Sequence, residues 1–334
     1  MGHPLLAAVS LTMVAGLMSG TCMLPMKFVR SWKWENLWLI FSLVSLAIIP
    51  WMLAIGLVHR LFDTYRALSF RQLAIPMLFG AGWGVAQILF GISVRRLGLG
   101  IAYAIIVGLG AVLGTLVPLF AQQRATAKEH AMQLIICGVA VMVIGISLTT
   151  WGGQIKERAT SHIASHQSYP AAILVAVLCG LMAPMLNYSF AFGQDIAQAA
   201  VRLGNQPVHS AYAVWPIGLA GGFLPNAAYS LWLLFKNRTW PLFRCARADL
   251  LWSCLMGILW MGAFALYGMS ASLLGSLGTS VGWGLMQIFM IMTATLAGAM
   301  TGEWQQASRP AKLLLGSGMA SLTVAIVLLA IGSL

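Results

Sequence analysis

Two amide side chains, Gln87 and Gln287, lie deep within long apolar runs, and each follows a tryptophan by four residues, Trp83 and Trp283. Residues four apart share one face of a helix, so each pair presents a carboxamide beside an indole. An amide surrounded by hydrocarbon needs a hydrogen-bonding partner, which is either a neighbouring helix or a solute. Other uncharged polar and aromatic residues occupy similar surroundings: Tyr103, Asn187, Tyr188, Tyr212, Trp215, Trp260 and Tyr267. Amides donate and accept hydrogen bonds, and aromatic faces cover C–H surface; together these are the groups that bind a neutral sugar. Trp83, Gln87, Asn187, Tyr188, Trp260, Tyr267, Trp283 and Gln287 are therefore the candidate substrate-binding residues.

The remaining chemistry points away from an enzyme. The seven acids, Glu35, Asp63, Glu129, Glu157, Asp195, Asp249 and Glu303, are scattered singly, so no paired carboxylates are offered for acid–base work. Of the six histidines only His162 and His166 are spaced by four, and they fall in a polar loop, where a solvated pair is expected rather than a metal site. The five cysteines, Cys22, Cys137, Cys179, Cys245 and Cys254, show no zinc spacing and read as small apolar packing residues. No phosphate-binding loop is present, so transport powered by ATP on this chain is excluded. No catalytic residue, metal or cofactor is expected.

The elements that must position these groups are membrane helices. Apolar residues make up 60% of the 334 residues and charged ones 8%, far below the roughly one quarter charged of a soluble domain. Ten apolar stretches are long enough to span a bilayer, near 5–26, 36–58, 73–94, 99–121, 131–151, 171–193, 210–235, 250–272, 276–299 and 313–333. The alternating ten-residue strands of a membrane barrel are missing, so an all-α integral membrane fold is expected. All 19 Lys and Arg fall between the stretches, as the cost of a cation at the bilayer centre requires. The net charge of +12 is spread among loops rather than gathered into a nucleic-acid-binding stripe. Odd-numbered loops carry 13 basic residues and even-numbered loops 6, which places the odd loops on the cytoplasmic side and both ends of the chain outside the cytoplasm.

Self-alignment at an offset of 177 residues pairs Gly80 with Gly257, Trp83 with Trp260, Phe90 with Tyr267, Gly91 with Gly268, Ser93 with Ser270 and Gly98 with Gly275. Gly16-Leu17-Met18 similarly matches Gly180-Leu181-Met182. The repeat implies two five-span halves, 1–160 and 161–334, within one membrane domain. Five is odd, so the second half enters the membrane inverted, the arrangement common in secondary transporters. Glycine pairs at helical spacing, Gly110/Gly114, Gly218/Gly222 and Gly278/Gly282, predict close helix approach. Prolines within spans, Pro184, Pro216 and Pro225, are candidate hinges.

The segments Pro25 to Trp38 and Phe79 to Gly84 resemble those of the L-rhamnose/proton symporters of the drug/metabolite transporter superfamily. Further similar stretches are Phe90-Gly91, Leu97-Gly98, Gly114 to Pro118, Gly153 to Glu157, Trp260 to Gly268 and Glu303-Trp304, so the likeness covers essentially the whole chain. The resemblance implies ten helices in two inverted halves, a central solute site, alternating access, and uptake of L-rhamnose or a related sugar with a proton as coupling ion, in the inner (cytoplasmic) membrane of a bacterium. Where that family has a His in span 1 and polar groups in spans 3 and 9, this chain has Thr12, Leu89 and Met286. With no carboxylate at the middle of a span, the proton-coupling candidates are Glu35, Asp195 and Glu303, near span ends. The expected partners are a small neutral sugar and the lipid bilayer; no protein or nucleic-acid partner is implied. A drug or metabolite exporter of the same superfamily is the second reading, and a non-transporting sensor or scaffold the third.

Overall fold

The computed structural model describes residues 2–97, 99–123, 129–160, 169–244 and 247–333, and among them there are helices and turns but no strand. Ten helical segments are long and apolar enough to cross a membrane: α1 (Leu5–Phe28), α2 (Trp34–Leu57), α3 (Phe70–Val94), α4 (Ile101–Ala121), α5 (Glu129–Lys156), α6 (Pro170–Arg202), α7 (Pro207–Asn237), α8 (Arg247–Leu273), α9 (Gly275–Met300) and α10 (Arg309–Gly332). Each expected span has its counterpart; several extend further, α6 by nine residues to Arg202, because residues such as Lys156, Lys236 and Arg247 continue the helices beyond the apolar stretch, whereas α4 begins at Ile101 and α10 ends at Gly332, just inside the expected bounds. Gly98, Cys245, His162 and His166 lie outside the described residues, as does the junction between the two expected halves.

Packing pairs come in matched sets. Helix α1 packs on α8 and α9, as α6 packs on α3 and α4; α2 meets α8 as α7 meets α3; α4 meets α5 as α9 meets α10. Exchanging the first five helices for the last five maps every one of these contacts onto another, which is what an inverted repeat calls for. The only two non-glycine residues with positive φ among the described residues are Arg60 and Arg238, each at 56°. Arg238 caps the C-terminus of α7, and Arg60, three residues past the end of α2, caps the start of the short helix Leu61–Arg66.

Small residues allow the closest approaches. A side chain at Gly80 would run into the Gly218 carbonyl, and one at Gly84 into Gly222 and Pro225, so α3 and α7 meet backbone to backbone. At Gly114 of α4 the obstacle is instead the Trp283 indole, whereas Gly110 faces Ala183 of α6. Prolines shape three of the helices. In α6 the helix breaks at Ala183-Pro184, with Pro184 capping the next helical stretch, Met185–Ala191. In α2 a π-helical turn at Leu43–Ile48 runs into Pro50, and in α4 another at Leu119–Gln123 follows Pro118. A missing proline N–H and its ring displace the i→i−4 ladder, and wider turns absorb the displacement. Pro216, in the first turn of the main stretch of α7, costs no helical bond, whereas Pro225 lies in its interior.

Candidate functional site

A cavity of about 180 Å³ lies where α3, α4, α6, α8 and α9 converge, with Ser19 of α1 at its edge. Five of the residues singled out from sequence line it: Trp83, Gln87, Trp260, Trp283 and Gln287. Trp83 and Trp260, paired by the internal repeat, stack on each other with ring centroids 5.3 Å apart and planes 27° from parallel. Equivalent residues touch one another only near an axis relating the halves, so the stack marks where such an axis runs. Phe264 extends the aromatic wall, 4.3 Å from Trp260 and 6.5 Å from Trp283. The Trp283 indole N–H is taken by the Gly110 carbonyl at 3.2 Å, which fixes the ring against α4.

The two amides differ from the other buried polar groups. Gln287 is 9% exposed, and neither it nor half-buried Gln87 hydrogen-bonds to any described residue. Neither amide is sealed from solvent-sized space, so both have atoms open to the cavity. They are unpaired donors and acceptors facing a common space with aromatic walls.

The other three substrate-binding candidates lie elsewhere. Asn187 is fully satisfied: its Nδ2 donates to the carbonyls of Gly114 and Thr279, both at 2.8 Å, and its Oδ1 accepts the Tyr267 hydroxyl. This cluster ties α4, α6, α8 and α9 together on the even-loop side of the cavity. Beyond it opens a second cavity of about 710 Å³, lined in part by Phe190, Asp195, Gln198, Arg202, Ser272 and Thr279. Along α6 and α8, Asn187 and Tyr267 fall between the residues of the central cavity and those of this vestibule, and Thr279 of α9 stands in the vestibule wall itself. Tyr188 faces neither, packing against Phe79 and Phe192 at 5.7 and 6.2 Å.

The proton-coupling candidates fall into three different settings. Glu35 is buried and accepts the Asn237 amide and the Thr239 hydroxyl, each at 2.9 Å, in a brace between α2 and the end of α7. Glu303, after α9, contacts Lys27 at 2.7 Å and Lys156 at 3.6 Å. The Lys27 hydrogen bond holds its carboxyl below the usual glutamate range, against a smaller opposing effect of partial burial. Asp195 faces the vestibule and accepts Gln72 Nε2 at 3.0 Å. At the positions that depart from the family pattern, Thr12 hydrogen-bonds Ser270 at 2.6 Å, and Met286 is buried.

Sequence reasoning missed Ser19, Cys179 and Phe264 in the cavity and Asp249 outside it. Phe264 carries a usable signal, since it follows Trp260 by four residues; Ser19 and Cys179 sit in their spans without any flanking pattern. Cys22, Cys137, Cys179 and Cys254 are free thiols, and no group of three metal-ligating side chains occurs among the described residues.

Comparison with known proteins agrees with this architecture. Over 317 residues, covering 92% of both chains, the sequence is 27% identical to a protein of Klebsiella pneumoniae (strain 342) named L-rhamnose-proton symporter. Proteins of the same name from Cronobacter sakazakii (strain ATCC BAA-894) and Salmonella paratyphi B (strain ATCC BAA-1250 / SPB7) are 28% and 27% identical over the same share. The family model for the L-rhamnose-proton symport protein matches residues 5–333, and the chain belongs to that family.

Proposed function

We propose that this protein carries L-rhamnose, or a closely related neutral sugar, across a bacterial inner membrane together with a proton, by alternating access about the 180 Å³ cavity. The observation that carries the reading is the pair of unpartnered amides, Gln87 and Gln287, facing one space walled by Trp83, Trp260 and Trp283. A monosaccharide there exchanges its hydration for amide hydrogen bonds, with its C–H faces against indole. The cavity lining has no charged side chain, which suits a neutral solute and gives an exporter of cationic drugs nothing to hold. Two halves, 1–160 and 161–334, rock about the Trp83–Trp260 stack, and the Asn187–Tyr267 cluster is the closed door to the vestibule.

Asp195 is the coupling group best placed for the proton. Glu35 is occupied by Asn237 and Thr239, and Glu303 by two lysines, whereas Asp195 faces the vestibule with an amide as its partner. The test is uptake of labelled L-rhamnose into proteoliposomes, with and without an inward proton gradient. Wild type should show gradient-stimulated uptake, Gln87→Ala and Gln287→Ala should lose uptake in either condition, and Asp195→Asn should keep sugar exchange while losing the stimulation. Failure of the wild type to move L-rhamnose under any gradient refutes the substrate; undiminished uptake in both glutamine variants refutes the site.

A further inference from the structure

The loop between α1 and α2 and the loop between α7 and α8 are clamped onto each other. The Asp249 carboxylate, in the first turn of α8, accepts the backbone N–H groups of Arg30, Ser31 and Trp32 at 3.1, 2.8 and 2.9 Å. The Trp32 indole donates to the Leu242 carbonyl, and the Asn36 amide to the Thr239 carbonyl, each at 3.0 Å. Glu35 completes the clamp by accepting from Asn237 and Thr239. Both carboxylates are buried, 5% exposed for Glu35 and 2% for Asp249, and all their hydrogen bonds come from uncharged donors.

The consequence is a face of excess positive charge without direct ion pairs. Arg30, Lys33, Lys236, Arg238, Arg244 and Arg247 are exposed on these two loops, and none forms an ion pair with a described residue. Six cations against two buried carboxylates leave a net charge of +4. On the opposite membrane face Arg60 and Arg66 share Asp63 at 2.9 and 3.8 Å, which leaves exposed Arg71 and Arg202 as the cations without an ion pair among the described residues of its loops. Around the cations of the two clamped loops stand exposed aromatics, Phe28, Trp232, Phe235 and Trp240, and Lys236 lies 4.6 Å above the Trp232 ring. Cations interleaved with aromatic rings at the ends of spanning helices sit at the depth of lipid headgroups.

We infer that this face binds the headgroup phosphate of an anionic phospholipid, seated across the junction of the two loops, with its acyl chains along exposed Phe28, Leu250 and Leu251. Asp249 and Glu35 act on the side-chain charges of Arg30 and Lys33 only through space, and a phosphodiester supplies the direct anionic partner that these cations lack. Free phosphate shares that chemistry, but a soluble anion gains nothing from the apolar rim, so the lipid is the occupant. Because the two loops belong to different halves of the chain, a bound lipid strengthens the contact between them. The inference does not depend on which solute the protein carries.

The test is native mass spectrometry of the full chain purified in neutral detergent and titrated with phosphatidylglycerol, phosphatidylcholine or inorganic phosphate. Wild type should retain phosphatidylglycerol in preference to phosphatidylcholine, and inorganic phosphate should not displace it. A cation at an anionic lipid surface is worth about fivefold in binding, so Arg30→Gln with Arg244→Gln should weaken retention about 25-fold. Arg66→Gln, on the other face, should leave it unchanged. As a measurement independent of any variant's folding, about 0.5 M salt should strip phosphatidylglycerol from wild type and spare phosphatidylcholine. Equal retention of both lipids, displacement by inorganic phosphate, salt-insensitive retention, or an unaffected double variant would each overturn the inference.

Discussion

Removing one hydroxyl should open the vestibule side of the cavity. The Tyr267 side chain is fully buried, and its hydroxyl donates to Asn187 Oδ1 with the Thr279 carbonyl 3.3 Å away. Tyr267→Phe keeps the ring and its edge-to-face contact with Trp283, so the change is confined to that bond. Hydrogen bonds between membrane helices contribute about 0.6 kcal/mol on average and up to about 1.7. Leaving the Asn187 oxygen buried without a donor adds a cost of about 1–3 kcal/mol in the closed arrangement alone, because opening hydrates it. A conservative sum of about 1–2 kcal/mol shifts the closed-to-open ratio about 5- to 30-fold. The assay places a cysteine at Ser19, which lines the cavity, in a chain without the five native cysteines, and measures its modification by a membrane-impermeant thiol reagent applied from the even-loop side. Tyr267→Phe should raise that rate by the same factor, and Tyr188→Phe, whose ring meets neither cavity, should leave it alone. A rate unchanged in Tyr267→Phe, or raised equally by Tyr188→Phe, would refute the latch.

Three further outcomes follow from the same geometry. Gly114→Ala would drive a methyl group into the Trp283 indole; overpacking of this kind costs about 1–3 kcal/mol, so sugar binding followed by tryptophan fluorescence should weaken about tenfold or more. Asp249→Ala strips three backbone N–H groups of their acceptor and should lower the thermal unfolding midpoint by an amount equivalent to about 3 kcal/mol or more, with Asp249→Asn less affected. Glu303 has a carboxyl pKa below its unfolded value, so its ion pairs contribute fully above the unfolded value of 4.5 and are lost only as pH falls through the lower folded one. Uptake by Glu303→Gln should therefore follow the wild-type pH profile between about pH 5.5 and 8, with at most about 1 kcal/mol lost in stability from a pair this exposed.

The spanning helices were legible because apolar runs and gaps in charge are one-dimensional features, and the bilayer enforces both. The same holds for part of the site: Trp83 with Gln87 and Trp283 with Gln287 are helix-face pairs, readable from spacing alone, and both reach the cavity. Asn187 and Tyr267 were visible as polar groups in apolar surroundings, yet nothing in their spacing says that residues 80 positions apart satisfy one another. Asp249 reads in sequence as an ordinary acid in a first helical turn; its hold on three N–H groups more than 200 residues away depends on how α1 and α8 pack. The π-helical turns in α2 and α4 adjoin prolines, but a proline fixes only that the ladder is interrupted, and neighbouring helices decide how it is repaired.

The proposed door lies on one side, and the internal sequence repeat offers a reason. Carrying Tyr267 back by 177 residues gives Phe90, and carrying Asn187 back in the register of Gly16 with Gly180 gives Met23. Those two side chains have no hydroxyl or amide with which to form an equivalent latch. The cavity amides are equally one-sided, since Gln87 corresponds to Phe264 and Gln287 to Gly110. A chain with an internal sequence repeat thus carries an asymmetric set of polar groups, with a hydrogen-bonded cluster on the even-loop side and apolar residues at the equivalent positions on the odd-loop side. The seal involves no cavity amide, so it stabilises the vestibule-closed form whether or not sugar is bound. In the proposed mechanism, opening toward the vestibule is driven by something that acts on the seal or beyond it, and Asp195, in the vestibule wall, is the group proposed to bring the proton to that step.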